Sequence, residues 1–66
     1  MTPAEEFREA RRKLGLSQNR AAAILRVESG RTVRRWENGE RDVPGPALTL
    51  MRVLLGSAQA RRIVGL

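Results

Sequence analysis

The stretch Leu14-Gly15-Leu16-Ser17-Gln18 contains a helix stop and a helix start within five residues. Glycine readily adopts the left-handed conformation that ends many helices, so Gly15 predicts the end of the preceding helix. A serine hydroxyl accepts a hydrogen bond from the free amides of a first helical turn, so Ser17 predicts the N-cap of the following helix. The stretch therefore predicts two helices joined by a very short turn.

The residues before this turn carry the signals of one helix over residues 1–13. Thr2 is a suitable N-cap, and a proline follows it at the first helical position. Acidic side chains fill the first turn and basic ones the last, where the helix dipole favours each. Phe7, Ala10 and Leu14 recur at spacings of three and four residues, which predicts one buried stripe.

The residues after the turn indicate further short helices. Ser29 and Gly39 bound the third, and Pro44 and Gly56 bound the fourth. Including the helix that starts at the turn, the predicted bounds are 17–25, 30–38, 44–55 and 58–64. No strand-like alternation, repeat or linker interrupts them. We therefore predict an all-α fold of five short helices in a single domain over residues 1–66.

The amino-acid composition argues against catalysis and metal binding. The 66 residues include no histidine and no cysteine, which are the usual ligands of zinc and the later transition metals. Histidine is also the commonest general acid or base, and so short a chain leaves little room for a sheltered pocket. We therefore expect no metal site, no cofactor and no enzymatic activity.

The charge of the chain is strongly positive. Lysine and arginine number 13 against 7 acidic residues, and Lys13 is the only lysine among them. A guanidinium fork donates paired hydrogen bonds to phosphates and base edges, so the excess of arginine favours a nucleic-acid partner. General solubility or a coding bias toward arginine is the alternative, and the placement of the arginines has to decide.

The sequence has no signal for a membrane or for secretion. No apolar run approaches the roughly 18 residues of a membrane-spanning helix. No basic region followed by an apolar run opens the chain. We therefore expect a cytoplasmic protein without a membrane partner.

Together, LGLSQ at 14–18, TVRRWENG at 32–39 and Pro44 resemble the phage-repressor (Cro/C1, XRE) helix-turn-helix family. The resemblance extends over about residues 7–55. It implies the lambda-repressor-like fold, in which the helix over 17–25 positions the recognition helix over 30–38 in the DNA major groove. Trp36 then belongs to the core, since its spacing from Val33 places both on one face.

The resemblance also implies which residues contact double-stranded DNA. Residues at the start of the recognition helix match base-reading positions, whereas Arg34 and Arg41 match positions beside the phosphates. The complete implied set is Gln18, Ser29, Gly30, Arg31, Thr32, Arg34, Arg35 and Arg41. Gly30 has no side chain to read a base, so readout falls mainly on Arg31, Thr32 and Arg35. A solvated helix face is the alternative for the arginines, and a capping role is the alternative for Gln18.

Three further features follow from comparison with the family pattern. The resemblance implies an ion pair between Arg11 and Glu37 that ties the first helix to the third. Most members have a glycine where this chain has Arg26, and the connection over 25–29 is one residue longer than usual. Members commonly dimerise through the last helix, which implies an interface formed by Leu55, Ile63, Val64 and Leu66. The alternative for those residues is packing back onto the first helix.

Together with the placement of the arginines, the resemblance implies a sequence-specific transcriptional repressor that binds an inverted-repeat operator as a homodimer and regulates its own operon. The alternative is an antitoxin or other interaction module whose main role is binding a partner protein, such as a toxin. RNA binding ranks third, because the chain's two aromatic side chains are both expected in the core rather than on a stacking platform.

Overall fold

The computed structural model describes residues 1–66 as five α-helices without any strand. The helices are α1 (Pro3–Lys13), α2 (Gln18–Leu25), α3 (Gly30–Glu37), α4 (Gly45–Gly56) and α5 (Ala58–Ile63). The predicted all-α fold of five short helices is confirmed, and the predicted bounds differ from these only at the terminal residues. Such differences are expected, because capping residues are only half helical.

Side-chain caps begin four of the five helices. Thr2 and Glu5 form a reciprocal capping box, in which each side chain accepts a hydrogen bond from the other's backbone amide. Serine hydroxyls cap α2, α3 and α5 by accepting from the amides of Arg20, Arg31 and Ala60. Helix α4 instead follows Pro44, which has no side-chain cap bond. These caps satisfy amides that would otherwise lack a partner.

The ends of α1, α2, α3 and α5 share one backbone geometry. In each, a residue with positive φ is followed by an amide that bonds back to a carbonyl five residues earlier, which defines the Schellman motif. The four positive-φ residues are Gly15, Arg26, Gly39 and Gly65. Arg26 therefore forms the same turn as the glycines, with φ 60° and ψ 35°. The arginine at this family glycine position leaves the tight turn after α2 intact.

The core is made by the inner faces of α1–α4. Phe7 and Trp36 lie in T-shaped contact, with ring centroids 5.5 Å apart and an interplanar angle of 81°. Val33, Met51 and Leu54 are almost completely buried around them. Helix α4 packs against α1, and α3 packs against both α2 and α1. The outer face of α3 is left uncovered as a result.

Helices α2 and α3 lie in close contact at Gly30. Its amide donates to Asn19 Oδ1 over 3.1 Å. A Cβ at Gly30 would lie 2.2 Å from that oxygen and 2.9 Å from the backbone nitrogen of Asn19. The side chain of Asn19 can rotate away, but its backbone cannot. Gly30 therefore sets the spacing of the two helices, a packing role that the sequence pattern did not reveal.

We expect Gly30→Ala to lower the free energy of unfolding by about 1–3 kcal/mol, the usual cost of overpacking. The matched control is Gly56→Ala, since a Cβ at Gly56 meets no atom within 4 Å. That control should be neutral or stabilising by up to about 1 kcal/mol, as alanine favours helix. Urea unfolding followed by circular dichroism measures both, and equal stabilities of the two variants would contradict the packing role.

Candidate nucleic-acid interface

Helix α3 separates its side chains into an inner and an outer face. Val33, Trp36 and Glu37 point inward and are buried. Arg31 and Arg34 are exposed on the outer face. Thr32 and Arg35 are half-buried beside them. Because no other helix covers the outer face, its side chains are available to a partner.

The basic side chains divide into those with and without a partner inside the chain. Six donate to a carboxylate or a backbone carbonyl: Arg8, Arg11, Lys13, Arg20, Arg52 and Arg61. The other seven are Arg12, Arg26, Arg31, Arg34, Arg35, Arg41 and Arg62. Five of these seven lie between residues 26 and 41. The basic side chains without a partner inside the chain are therefore found mainly on α3 and on the segments that flank it.

An open cleft of about 360 Å³ runs beside the outer face of α3. Thr32, Arg35 and Arg41 line it, which brings together three of the residues predicted to contact DNA. Arg26 and Glu28 line it as well, although the sequence did not single them out as site residues. Only one lining residue is hydrophobic. Small-molecule pockets are mostly apolar, so this cleft suits a polar, charged partner better.

The start of α3 is less accessible than the sequence suggested. Ser29 is exposed, and its hydroxyl oxygen accepts from the amide of Arg31 over 3.2 Å. Gly30 is buried against α2. The predicted contact residues whose side chains point outward from this helix are therefore Arg31, Thr32, Arg34 and Arg35.

Glu37 is a buried carboxylate that joins three helices. Arg11 binds it in bidentate fashion: Arg11 Nε donates to Glu37 Oε2 over 2.6 Å, and Arg11 Nη2 donates to Glu37 Oε1 over 2.9 Å. Gln18 Nε2 donates to Oε1 over 3.2 Å, and Arg8 Nη2 donates to the backbone carbonyl of Glu37 over 2.8 Å. Arg11 Nη1 also donates to the carbonyl of Leu16 over 3.0 Å. This network fixes α3 against α1 and the start of α2.

The ionisation of Glu37 reflects this environment. Burial raises the pKa of the carboxyl group. Hydrogen bonds from Arg11 and Gln18 and the positive charges of Arg11 and Arg8 together outweigh that effect, so the pKa lies below its ordinary value of 4.5. Glu37 is therefore ionised at neutral pH and has structural partners for both of its oxygens.

Gln18 has a role that the residues alone did not indicate. Its side chain is half-buried, and its amide nitrogen binds Glu37 rather than pointing to solvent. This bond orients the side chain of Gln18, the first residue of α2, against Glu37, the last residue of α3. Contact between Gln18 and DNA stays a prediction, with the side-chain carbonyl oxygen as the available group.

The residues predicted to form a dimer interface lie around α5. Ile63 is 79% exposed, Leu55 39% and Leu66 37%. Val64 is half-buried and packs against the edge of the core. Helix α5 packs against α4 and buries none of its own residues. The end of the chain therefore carries a small apolar surface next to the core.

Comparison with known proteins assigns these features to a family. A model of the helix-turn-helix family, of the Cro/C1 or XRE type, matches residues 7–57. No curated protein and no solved structure matches the chain. No helix is long and apolar enough to cross a membrane.

The lowered pKa of Glu37 predicts a pH-dependent stability. Since the folded-state pKa is below the unfolded one, the contribution of Glu37 is present above about pH 4.5 and is lost as the pH falls through the lowered value. Glu37→Gln should therefore flatten the dependence of the unfolding free energy on pH below this point. It should also cost about 3 kcal/mol at pH 7, because Arg11 loses its charged partner.

Urea unfolding at a series of pH values measures this effect, with Glu40→Gln as the control at an exposed carboxylate. The unfolding free energy of Glu37→Gln should still depend on pH, but less steeply, because two other carboxyl groups also have lowered pKa values. The pKa of Glu5 is lowered by its bonds to Thr2, and that of Glu6 by its bond to Arg52. If Glu40→Gln flattens the profile as much as Glu37→Gln, the assignment to Glu37 is wrong.

Proposed function

The chain belongs to the Cro/C1-type (XRE) helix-turn-helix family, and from this premise we propose that it is a sequence-specific repressor that acts as a homodimer. Members of this family are DNA-binding regulators. The observation that carries the proposal is the concentration of unpartnered arginines on the outer face of α3 and its flanks. Such a surface attracts the DNA backbone and can also read bases.

In the proposed complex, α3 enters the major groove. Arg31, Thr32 and Arg35 face the base edges, and an arginine there favours guanine through its N7 and O6 atoms. Arg34 and Arg41 contact flanking phosphates. Gln18 and Ser29 complete the contact set, whereas Gly30, also implied by the family pattern, is buried against α2 and donates its amide to Asn19.

Dimerisation is the second part of the proposal. The exposed apolar side chains of Leu55, Ile63 and Leu66, with Val64 beside them, support a two-fold contact between copies. A symmetric dimer places two recognition helices on successive major grooves, about one helical turn or 34–36 Å apart. The matching operator is an inverted repeat.

Repression follows if the bound dimer covers a promoter. The family resemblance favours control of the chain's own operon. We propose that residues 1–66 act as one DNA-binding domain in the cytoplasm, without catalysis and without a cofactor.

A partner protein is the second candidate function. The observation in its favour is the same apolar surface, together with a shallow groove beside α5 that Ile24, Ile63 and Val64 line. A toxin bound there would make the chain an antitoxin. That role would tolerate the loss of Arg31 and Arg35, which the repressor role does not.

Selection of bound duplexes from a random pool tests the function directly. We expect an enriched inverted repeat with at least one guanine in each half-site. Sedimentation at micromolar concentration should show a dimer, and Ile63→Asp should shift it to monomer with little loss of stability, because Ile63 is exposed. Failure to enrich any sequence, together with a protein that co-purifies with the untagged chain, would favour the antitoxin role.

Two arginines should show different roles on the selected duplex. Arg35→Ala should weaken specific binding by about 1–3 kcal/mol and relax base preference, whereas Arg41→Ala should weaken all sequences about equally. Titrations on the selected duplex and on a random duplex of the same length distinguish the two effects. If both variants lose the same affinity on both duplexes, the division into base-reading and phosphate-binding residues fails.

A further inference from the structure

Arg26 adopts a conformation that the chain elsewhere reserves for glycine. Its φ of 60° makes it the only residue other than glycine with a positive φ. The helix ends at Gly15, Gly39 and Gly65 have the same pair of backbone hydrogen bonds. In the left-handed region, the Cβ of any other residue crowds the following carbonyl oxygen. The turn between α2 and α3 is therefore strained in a way that the three comparable turns are not.

No side-chain hydrogen bond or ion pair of Arg26 inside the molecule offsets this strain. The Arg26 side chain is exposed. Its guanidinium makes no hydrogen bond or ion pair, unlike that of Arg61, which donates to the carbonyl of Leu54 over 2.7 Å. A glycine at this position would satisfy the same backbone bonds without crowding. The Arg26 guanidinium is therefore free to bind a group outside the chain.

The surroundings of Arg26 indicate the chemistry of that group. Arg26 lines the cleft beside α3 together with Arg35 and Arg41, so three guanidinium groups without internal partners border one cavity. Glu28 is the only carboxylate among the lining residues. Like charges so close together repel one another, and an anion placed between them relieves this repulsion. The cleft therefore favours an anionic ligand over an apolar one.

We propose that Arg26 binds a DNA backbone phosphate at the edge of the major groove, and that this contact offsets the strain of the turn in the complex. The inference rests on the proposed DNA binding. A phosphate is favoured over a base because Arg26 belongs to the turn before α3 rather than to the helix that fills the groove. Residues that flank a recognition helix face the DNA strands.

The proposal predicts opposite effects of one substitution on stability and on binding. Arg26→Gly relieves the crowded backbone, so the melting temperature should rise by several degrees. It also removes one phosphate contact, so the affinity for DNA should fall several-fold on every sequence. The slope of log affinity against log salt concentration should become shallower by about one unit.

Two further variants separate the causes. Arg26→Lys keeps both the charge and the positive φ, so it should retain most of the affinity and gain no stability. Arg12→Gln removes one exposed positive charge from α1, and so reports the effect of net charge alone. The measurements are thermal unfolding, titration of a random duplex and the selected duplex at several salt concentrations, and sedimentation.

The outcomes distinguish this proposal from the proposed function. If the wild-type chain binds neither duplex, the DNA-binding function itself fails. If the wild type binds but Arg26→Gly loses no more affinity than Arg12→Gln, only the role of Arg26 is overturned. A loss confined to the selected duplex would instead assign Arg26 to a base. A change in self-association with an unchanged salt slope would assign it to the groove beside α5, which it also borders.

Discussion

A buried carboxylate that has to stay charged is the constraint on which the arrangement of α1, α2 and α3 depends. An ionised group away from water is very costly unless it is paired and hydrogen-bonded. Glu37 therefore draws Arg11 from α1 and Gln18 from α2 onto the inner face of α3. Apolar contacts such as that of Phe7 with Trp36 supply burial, but they tolerate small shifts. The bidentate ion pair has a directional geometry, and so it fixes the orientation in which α3 presents its outer face.

The same constraint separates the arginines of α1 from those of α3. The arginines of α1 that donate to Glu37 are committed to the fold. Those of α3 point the other way, where the only carboxylate of the helix, Glu37, cannot reach them. One helix thus carries its negative charge inward and its positive charges outward. The arginines without a partner inside the chain consequently lie mainly on α3 and its flanks.

The sequence predicted most of the fold because the deciding signals are local. The caps at Thr2 and Ser17 and the stop at Gly15 act within one helical turn, and the spacing of apolar residues reports which face is buried. Contacts across space were harder to predict. The close approach at Gly30 depends on how α2 and α3 cross. Arg26 adopts the left-handed backbone conformation, which residues other than glycine disfavour. Only the three-dimensional arrangement shows that Gly30 packs against Asn19 and that Arg26 borders the cleft.

The contact between Phe7 and Trp36 also has a spectroscopic consequence. Trp36 is the chain's single tryptophan, and the chain contains no tyrosine. Intrinsic fluorescence excited at long ultraviolet wavelengths therefore comes from one indole, buried where α1 meets α3. This indole lies on the face of α3 opposite the exposed arginines. Its emission reports the integrity of the helical core, while a ligand on the arginine face leaves the indole shielded from direct quenching.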